Sequence, residues 1–263
     1  MKLLDVSKTA LLTLIIRAVE SEQKNPIIDD QRAVLLLDRL MSNVSEEERK
    51  WILKWKKRYR NIIYSYDRKA VARRGKKFDN IVNKYISDNP GCTVINLGCG
   101  FDTRFWRIEN KNCIYIEIDL PELIELKKKL LPDHLNYKLI GCSVLDTSWM
   151  EEVSSKGNSN FLFIAEGLFM YLPEPEVKRV LKTFVQKFHH SQISLDLVSP
   201  FYTRGFGKWI GNWSYRKFFG LDISFIFGKK PKDMESIANG LRVLDVEKIP
   251  LAFSIVSMSI NNE

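Results

Sequence analysis

Three groups of residues in this chain are of types, and at spacings, that can do chemistry. The first is Gly98-Cys99-Gly100, reached from the apolar pair Val94-Ile95 through Asn96-Leu97. Asp119 follows 19 residues past Gly100, at the end of a second apolar run from Cys113 to Ile118. Strand, glycine turn, helix, strand and acid, in that order, is the pattern of a nucleotide-binding unit. Glycines permit the tight turn and let backbone N–H groups approach a ligand, while the acid reaches a ribose hydroxyl. Thr103 stands where a third glycine would complete G-x-G-x-x-G, so a strand–helix turn without a ligand is the competing reading. The second group is Glu166, with Gly167 behind it, at the end of the apolar run Phe161 to Ala165. Strand carboxyl ends are where open α/β sheets bind ligands, although a structural ion pair would also use such a carboxylate. The third is residues 49 to 77, with thirteen Lys or Arg against one acid, Asp67, and with Trp51, Trp55 and Tyr59 spaced by four. That stripe reads either as helix core with lysines solvated on the far face or as a nucleic-acid surface.

The elements that must position these groups follow from periodicity and caps. A helix is expected from Val6 through the run LLTLIIRAV, with Ser7 as N-cap and Asn25-Pro26 as its break. Asp29-Asp30 cap a second helix, and Ser45 with Glu48 forms a capping box for a third. A helix over Asp79 to Ser87 leads through Asn89-Pro90-Gly91 into the first strand, and Pro121 opens the helix after Asp119. Further strands are expected at Tyr137 to Ile140, Phe161 to Ala165, Gln192 to Val198, Arg242 to Lys248 and Ala252 to Met258, with a helix over Pro173 to His190. Together they make a seven-stranded α/β sheet. Residues 201 to 230 break the pattern, with ten aromatics interleaved with Arg204, Lys208, Arg216 and Lys217. This segment reads as a substrate lid or as a satellite hydrophobic cluster under a long loop.

Three longer strings, NLGCGFDTRFWR, EIDLPELIELKKKLL and AEGLFMYLPEPEVKRVL, resemble the leucine carboxyl methyltransferase family, which includes polyketide-synthesis O-methyltransferases of the tetracenomycin type. The resemblance runs from about Val6 to Val198. It implies a Rossmann-like class I methyltransferase fold with a seven-stranded, mostly parallel sheet and S-adenosylmethionine as cofactor. It further implies an N-terminal helical cap over residues 1–78 and a methyltransferase domain over 79–263, with an aromatic lid inserted at about 200–235. In Arg73-Arg74-Gly75-Lys76-Lys77-Phe78-Asp79 the resemblance makes Arg74 the grip on the cofactor carboxylate, with Lys8 near the same end. Gly98, Gly100 and Asp119 become cofactor contacts, and Glu166 serves the cofactor at its amino group. Ser143 and Val144 fall on the adenine side. Many relatives carry an acid where Ser143 stands, and Asp146 substitutes for it only if the loop bends differently. Tyr171, in MYLP, lines the methyl-transfer site as the catalytic candidate.

Composition bounds the rest. The net charge of +9 arises locally, since residues 49 to 77 alone contribute +12. No apolar run approaches a membrane span and no signal-peptide core follows Met1, so no membrane partner and a cytoplasmic location are expected. Cys92, Cys99, Cys113 and Cys142 lie in or beside strands without a C-x-x-C pair, and His134, His189 and His190 fall in no catalytic motif. Neither a metal site nor a disulfide framework is expected. The expected reaction is methyl transfer to an oxygen, with a carboxylate of a small molecule or peptide as the favoured acceptor. A nicotinamide-dependent oxidoreductase, an RNA-binding or RNA-modifying protein and a non-catalytic interaction module are the competing classes.

Overall fold

The computed structural model describes residues 5–109, 111–131, 135–154, 160–219, 224–250 and 253–261. Four helices precede the sheet: α1 (Asp5–Ser21), α2 (Gln31–Met41), α3 (Glu46–Arg60) and α4 (Ser65–Asp88). The caps written in the sequence are used. The Asp30 carboxylate accepts from the Ala33 N–H at the start of α2, and Ser45 and Glu48 exchange hydrogen bonds at the start of α3. Ser7 is a correction. α1 is already helical at Asp5, so Ser7 lies inside it and is not its N-cap. Leu11, Ile15 and Val19 of α1 pack with Leu36, Leu37 and Leu40 of α2 and with Ile52, Trp55 and Tyr59 of α3. The aromatic stripe of α3 is therefore helix core.

α4 begins fourteen residues before the expected Asp79 and carries Arg73 to Phe78 as helix. Gly75 does not break it, because the space beside its Cα is filled by Ile28 of the cap, 3.3 Å from where a Cβ would stand. One helix thus runs through the 78/79 division.

The sheet and its connections follow in order: β1 (Thr93–Leu97), α5 (Arg104–Arg107), β2 (Ile114–Asp119), α6 (Pro121–Leu130), β3 (Lys138–Gly141), α7 (Ser148–Ser154), β4 (Phe161–Ala165), α8 (Glu174–Lys187), β5 (Ser191–Val198), α9 (Gly205–Phe219), β6 (Leu241–Ile249) and β7 (Phe253–Ile260). Ala252, expected to open the last strand, lies outside the described residues. The strand order is β3-β2-β1-β4-β5-β7-β6. The first five strands pair in parallel, and β7 runs antiparallel between β5 and β6. β1 and β4 are buried along their whole length, as their unbroken apolar runs require of strands covered on both faces. The chain turns outward in both directions from β1 and β4, which makes their carboxyl ends the switch point where such sheets open a crevice. Gly98, Asp119 and Glu166 all sit at that edge, at the ends of β1, β2 and β4.

Candidate active site

The glycine turn is shaped by the backbone itself. Gly98 and Gly100 have φ of 60° and 50°, in the left-handed region that costs a side-chain-bearing residue free energy. The Gly100 N–H donates to Asp119 Oδ2 at 2.7 Å, and the Leu120 N–H donates to Oδ1 at 2.7 Å. Burial raises the Asp119 pKa against the lowering effect of these two bonds. What covers Gly100 is the chain's own first helix. A Cβ on Gly100 would lie 2.9 Å from the Ala10 Cβ, and Arg17 Nη2 donates to the Phe101 carbonyl at 2.8 Å. The bareness of Gly100 thus makes room for α1, and Gly98, half-exposed, has Leu168 Cδ1 2.8 Å from where its own Cβ would stand. Lys8 lies on α1 two residues before Ala10 and is half-buried.

Beneath the turn, Lys127 of α6 is fully buried. Its Nζ donates to Glu117 Oε2 at 2.7 Å and to the Asp102 carbonyl at 2.7 Å, fixing β2, α6 and the turn to one another. Burial pushes the Glu117 carboxyl up to about 7, with Lys127 opposing it. Thr103, in place of a third glycine, is also buried and donates its hydroxyl proton to the Asp30 carboxylate.

Arg73 is exposed, while Arg74 turns inward. Arg74 Nε donates to Glu166 Oε1 at 2.8 Å, and Nη1 donates to Asp196 Oδ2 at 3.2 Å. Glu166 Oε2 accepts from Arg104 Nη2 at 2.6 Å, and Asp196 Oδ1 accepts from the Gly167 N–H at 2.7 Å. Gly167 has φ of 68°, and a Cβ there would approach Arg74 Nη2 to 3.7 Å. Nη2 is the Arg74 nitrogen that neither carboxylate engages, and it faces the bare side of Gly167. Burial opposes ionisation of Glu166, but Arg74 and Arg104 outweigh it and hold the carboxyl below its usual range. Asp196 is fully buried, and burial pushes it up to about 6 despite Arg74.

The lattice continues. Arg104 bonds Asp79 and Asp102, Arg107 bonds Asp79, Asp102 and Asp30, and Asp30 bonds Arg17. Arg104, Asp196, Asp79 and Asp102 carry no role in the sequence reading. Two signals for them existed: an acid inside the apolar strand SLDLV, and the pair Arg104 and Arg107 one helical turn apart in TRFWR.

In the loop after β3, Ser143 Oγ accepts from the Leu145 N–H at 3.2 Å, which ties it to its own turn. Val144 is buried beside it. Asp146 is exposed and accepts from the Ser148 N–H at 2.9 Å, at the start of α7. Tyr171 stacks on Phe225 with ring centroids 6.0 Å apart, and Tyr215 of α9 meets the same ring at 4.8 Å. Burial raises both phenols well above their ordinary pKa. Residues 201–230 therefore place Tyr215 and Phe225 beside Tyr171, while Phe206, Trp209 and Trp213 of α9 are exposed.

Part of the basic stretch is paired within the molecule, while Arg49, Lys50, Lys54, Lys57, Lys69, Arg73 and Lys76 are exposed. Lys56 and Arg60 pair with Glu22, Arg68 with Glu20, and Lys77 with Glu247. Arg58 lies over the Trp55 and Tyr64 rings. His189 and His190 sit between α8 and β5, at the amino end of that strand, and His134 lies outside the described residues.

A parallel sheet closed by an antiparallel β7, with a glycine turn and an acid at the switch point, defines a Rossmann-like methyltransferase that uses S-adenosylmethionine. Solved structures agree on the fold. A possible exported protein of Bordetella parapertussis superposes with a TM-score of 0.59 at 15% identity, over 97% of this chain and 97% of that one. Magnesium protoporphyrin IX methyltransferase of Synechocystis PCC 6803, solved with bound SAH, superposes with a TM-score of 0.51 at 13% identity, over 77% of this chain and 88% of that one. Within that class the chain belongs to the leucine carboxyl methyltransferase family, whose sequence model matches residues 10–185. The tetracenomycin polyketide synthesis O-methyltransferase TcmP of Streptomyces glaucescens is 29% identical over 242 residues, covering 92% of this chain and 82% of that protein. Leucine carboxyl methyltransferase 1 of Rattus norvegicus is 26% identical over 143 residues, covering 40% of this chain and 43% of that protein.

Proposed function

We propose that this protein is an O-methyltransferase whose acceptor is a carboxylate of a small molecule or peptide. The donor set suits S-adenosylmethionine. Arg74 Nη2 beside Gly167 fits a carboxylate, Glu166 next to it fits an amino group, and Asp119 on the neighbouring strand fits ribose hydroxyls. Lys8 is assigned to the carboxylate end and Gly98 to the close backbone approach. Ser143 and Val144 are assigned to the adenine. When bound, the cofactor would supply an electrophilic methyl group on a cationic sulfur.

The observation that carries the reading is the state of the ionisable groups around Arg74. Glu166 and Asp196 have their oxygens engaged by guanidinium or backbone N–H groups, and the Tyr171 and Tyr215 phenols are held protonated by burial. None of these four is set up to remove a proton from an alcohol or a phenol. A carboxylate is ionised at neutral pH and needs no base, so alignment and exclusion of water do the catalytic work. Tyr171 and Phe225 supply apolar ring surface for that alignment. TcmP and the leucine carboxyl methyltransferases support the reading by kinship. The buried Trp55 and Tyr59, and the paired cations around them, weigh against an RNA substrate.

The experiment is turnover of labelled S-adenosylmethionine with a panel of hydrophobic carboxylic acids and peptides. The product is expected to release volatile methanol in mild alkali, with a rate roughly flat from about pH 6 to 8. A base-stable product, or a rate that climbs with pH across that window, would count against a carboxylate acceptor.

A further inference from the structure

α9 is built inside out relative to an ordinary surface helix. Its inner side carries Gly207 and Gly211, which pack on the 3-10 turn Pro200–Thr203. A Cβ at Gly207 would stand 2.0 Å from the Phe201 carbonyl oxygen, and one at Gly211 would stand 3.1 Å from the Tyr202 ring. Only glycine permits that approach, so the helix cannot roll to place larger residues inward. Its outer side consequently shows Phe206, Trp209 and Trp213, spaced by three and four, with exposures of 70%, 62% and 49%. The Phe206 and Trp209 rings stack at 5.7 Å, and Lys217 Nζ lies 4.7 Å from the Trp213 ring centroid. Tyr215, the residue of α9 whose ring meets Phe225 beside Tyr171, lies on a different side of the helix. The outer aromatics therefore do not line the methyl-transfer site.

The charge carried by α9 itself has one sign. From Pro200 to Phe219 the chain has no Asp or Glu, and Arg204, Arg216 and Lys217 are exposed around the stripe. The neighbouring corner adjoins it. Arg58 Nη2 donates to the Lys217 carbonyl at 3.1 Å while its guanidinium lies over Tyr64, which joins the end of α9 to the turn after α3. In that turn Ile62 and Ile63 are 80% and 76% exposed, and half-buried Asp67 interacts with Arg58 there. Exposed aromatic and aliphatic side chains rimmed by cations are the composition that seats a helix in the headgroup region of a bilayer. An aromatic stripe supplies the apolar insertion, and the cations supply attraction to anionic lipid. Among the described residues no helix is long and apolar enough to cross a membrane, so the contact would be peripheral.

We propose that the outer face of α9, together with the Ile62-Ile63 corner, docks this methyltransferase on an anionic lipid surface. The charge complementarity decides for lipid over a second copy of the chain, since two such cationic faces would repel.

The test is co-sedimentation of the full chain with phosphatidylcholine vesicles, with or without phosphatidylglycerol, at physiological salt. Binding is expected with phosphatidylglycerol and to fall about tenfold or more without it. The triple variant Phe206→Ser, Trp209→Ser, Trp213→Ser should lose vesicle binding while keeping wild-type affinity for S-adenosylmethionine, which confirms its fold. The double variant Arg216→Glu, Lys217→Glu leaves the aromatics in place and should lose the preference for phosphatidylglycerol. Absence of binding to phosphatidylglycerol vesicles, or equal binding by the triple variant, overturns the proposal. So does finding that the stripe drives self-association, or that it binds a single-stranded oligonucleotide more tightly than vesicles.

Discussion

Arg74 has two duties in this structure: it neutralises two carboxylates, and it keeps Nη2 aimed past Gly167. Replacing it therefore reports on both. Arg74→Ala is expected to cost about 3 kcal/mol of stability, because Glu166 and fully buried Asp196 each lose a partner. Measured by calorimetry well below its Tm, the variant should also bind S-adenosylmethionine more weakly, by on the order of 2 kcal/mol. Arg74→Lys should recover part of the stability and little of the affinity, since an ammonium cannot reproduce the fork. Normal cofactor affinity in Arg74→Ala would remove Arg74 from the binding site. Glu166 gives a prediction in pH. Its carboxyl is held below the usual range by Arg74 and Arg104, so its ion pairs add stability above about pH 4 and lose it as the pH falls through the folded-state value. Glu166→Gln should lower Tm at pH 7, and its melting curve should converge on that of the wild type in acid. Parallel curves down to about pH 3 would mean that Glu166 is not the acid-labile partner.

At the scale of elements, the glycine turn and α1 are one unit. The sequence makes the turn legible, because two glycines between apolar runs have few other uses. It does not show that Gly100 makes room for Ala10, since that contact joins residues ninety apart. Gly100→Ala is accordingly expected to destabilise the chain and weaken cofactor binding by displacing the start of α1. Adding Ala10→Gly should restore part of both, leaving the roughly 1 kcal/mol strain of a positive φ and a further ~1 kcal/mol for glycine inside a helix. If the double variant shows no recovery in thermal melting or cofactor titration, the bareness of Gly100 serves a ligand and not α1. Strands and caps were legible for local reasons, as at Ser45 and Glu48 or in the run Phe161 to Ala165. α4 was read too short because residues 65 to 78 are basic and contain Gly75, and neither feature reveals Ile28 waiting on the other side. Lys127 was equally hidden. It is one of three consecutive lysines on α6, and only the packing of that helix on β2 shows that this one turns inward.

For the whole molecule, the family and the carboxyl-edge site were legible because both rest on short contiguous strings. The site's electrostatic frame was not, because it is assembled from residues as far apart as Arg17 and Asp196. That frame has a consequence for how the protein comes apart. The chain of ion pairs passes from α1 through the Asp30 cap of α2 to α5, on to α4, and ends on β4 and β5. Lifting α1 to α4 from the sheet would break the Asp30–Arg107, Asp79–Arg104, Asp79–Arg107, Arg74–Glu166 and Arg74–Asp196 pairs and leave Asp79 and Asp196 without an ion-pair partner, a penalty of several kcal/mol for each ion that stays buried. A partly opened form with the cap detached is therefore disfavoured relative to both the native and the fully unfolded chain. Scanning calorimetry should show a single transition whose calorimetric and van't Hoff enthalpies agree, and two resolved transitions would show that the cap melts independently. The ionic lattice thus makes cap and sheet one cooperative folding unit, in which the helices that shape the cofactor crevice are lost only when everything else is.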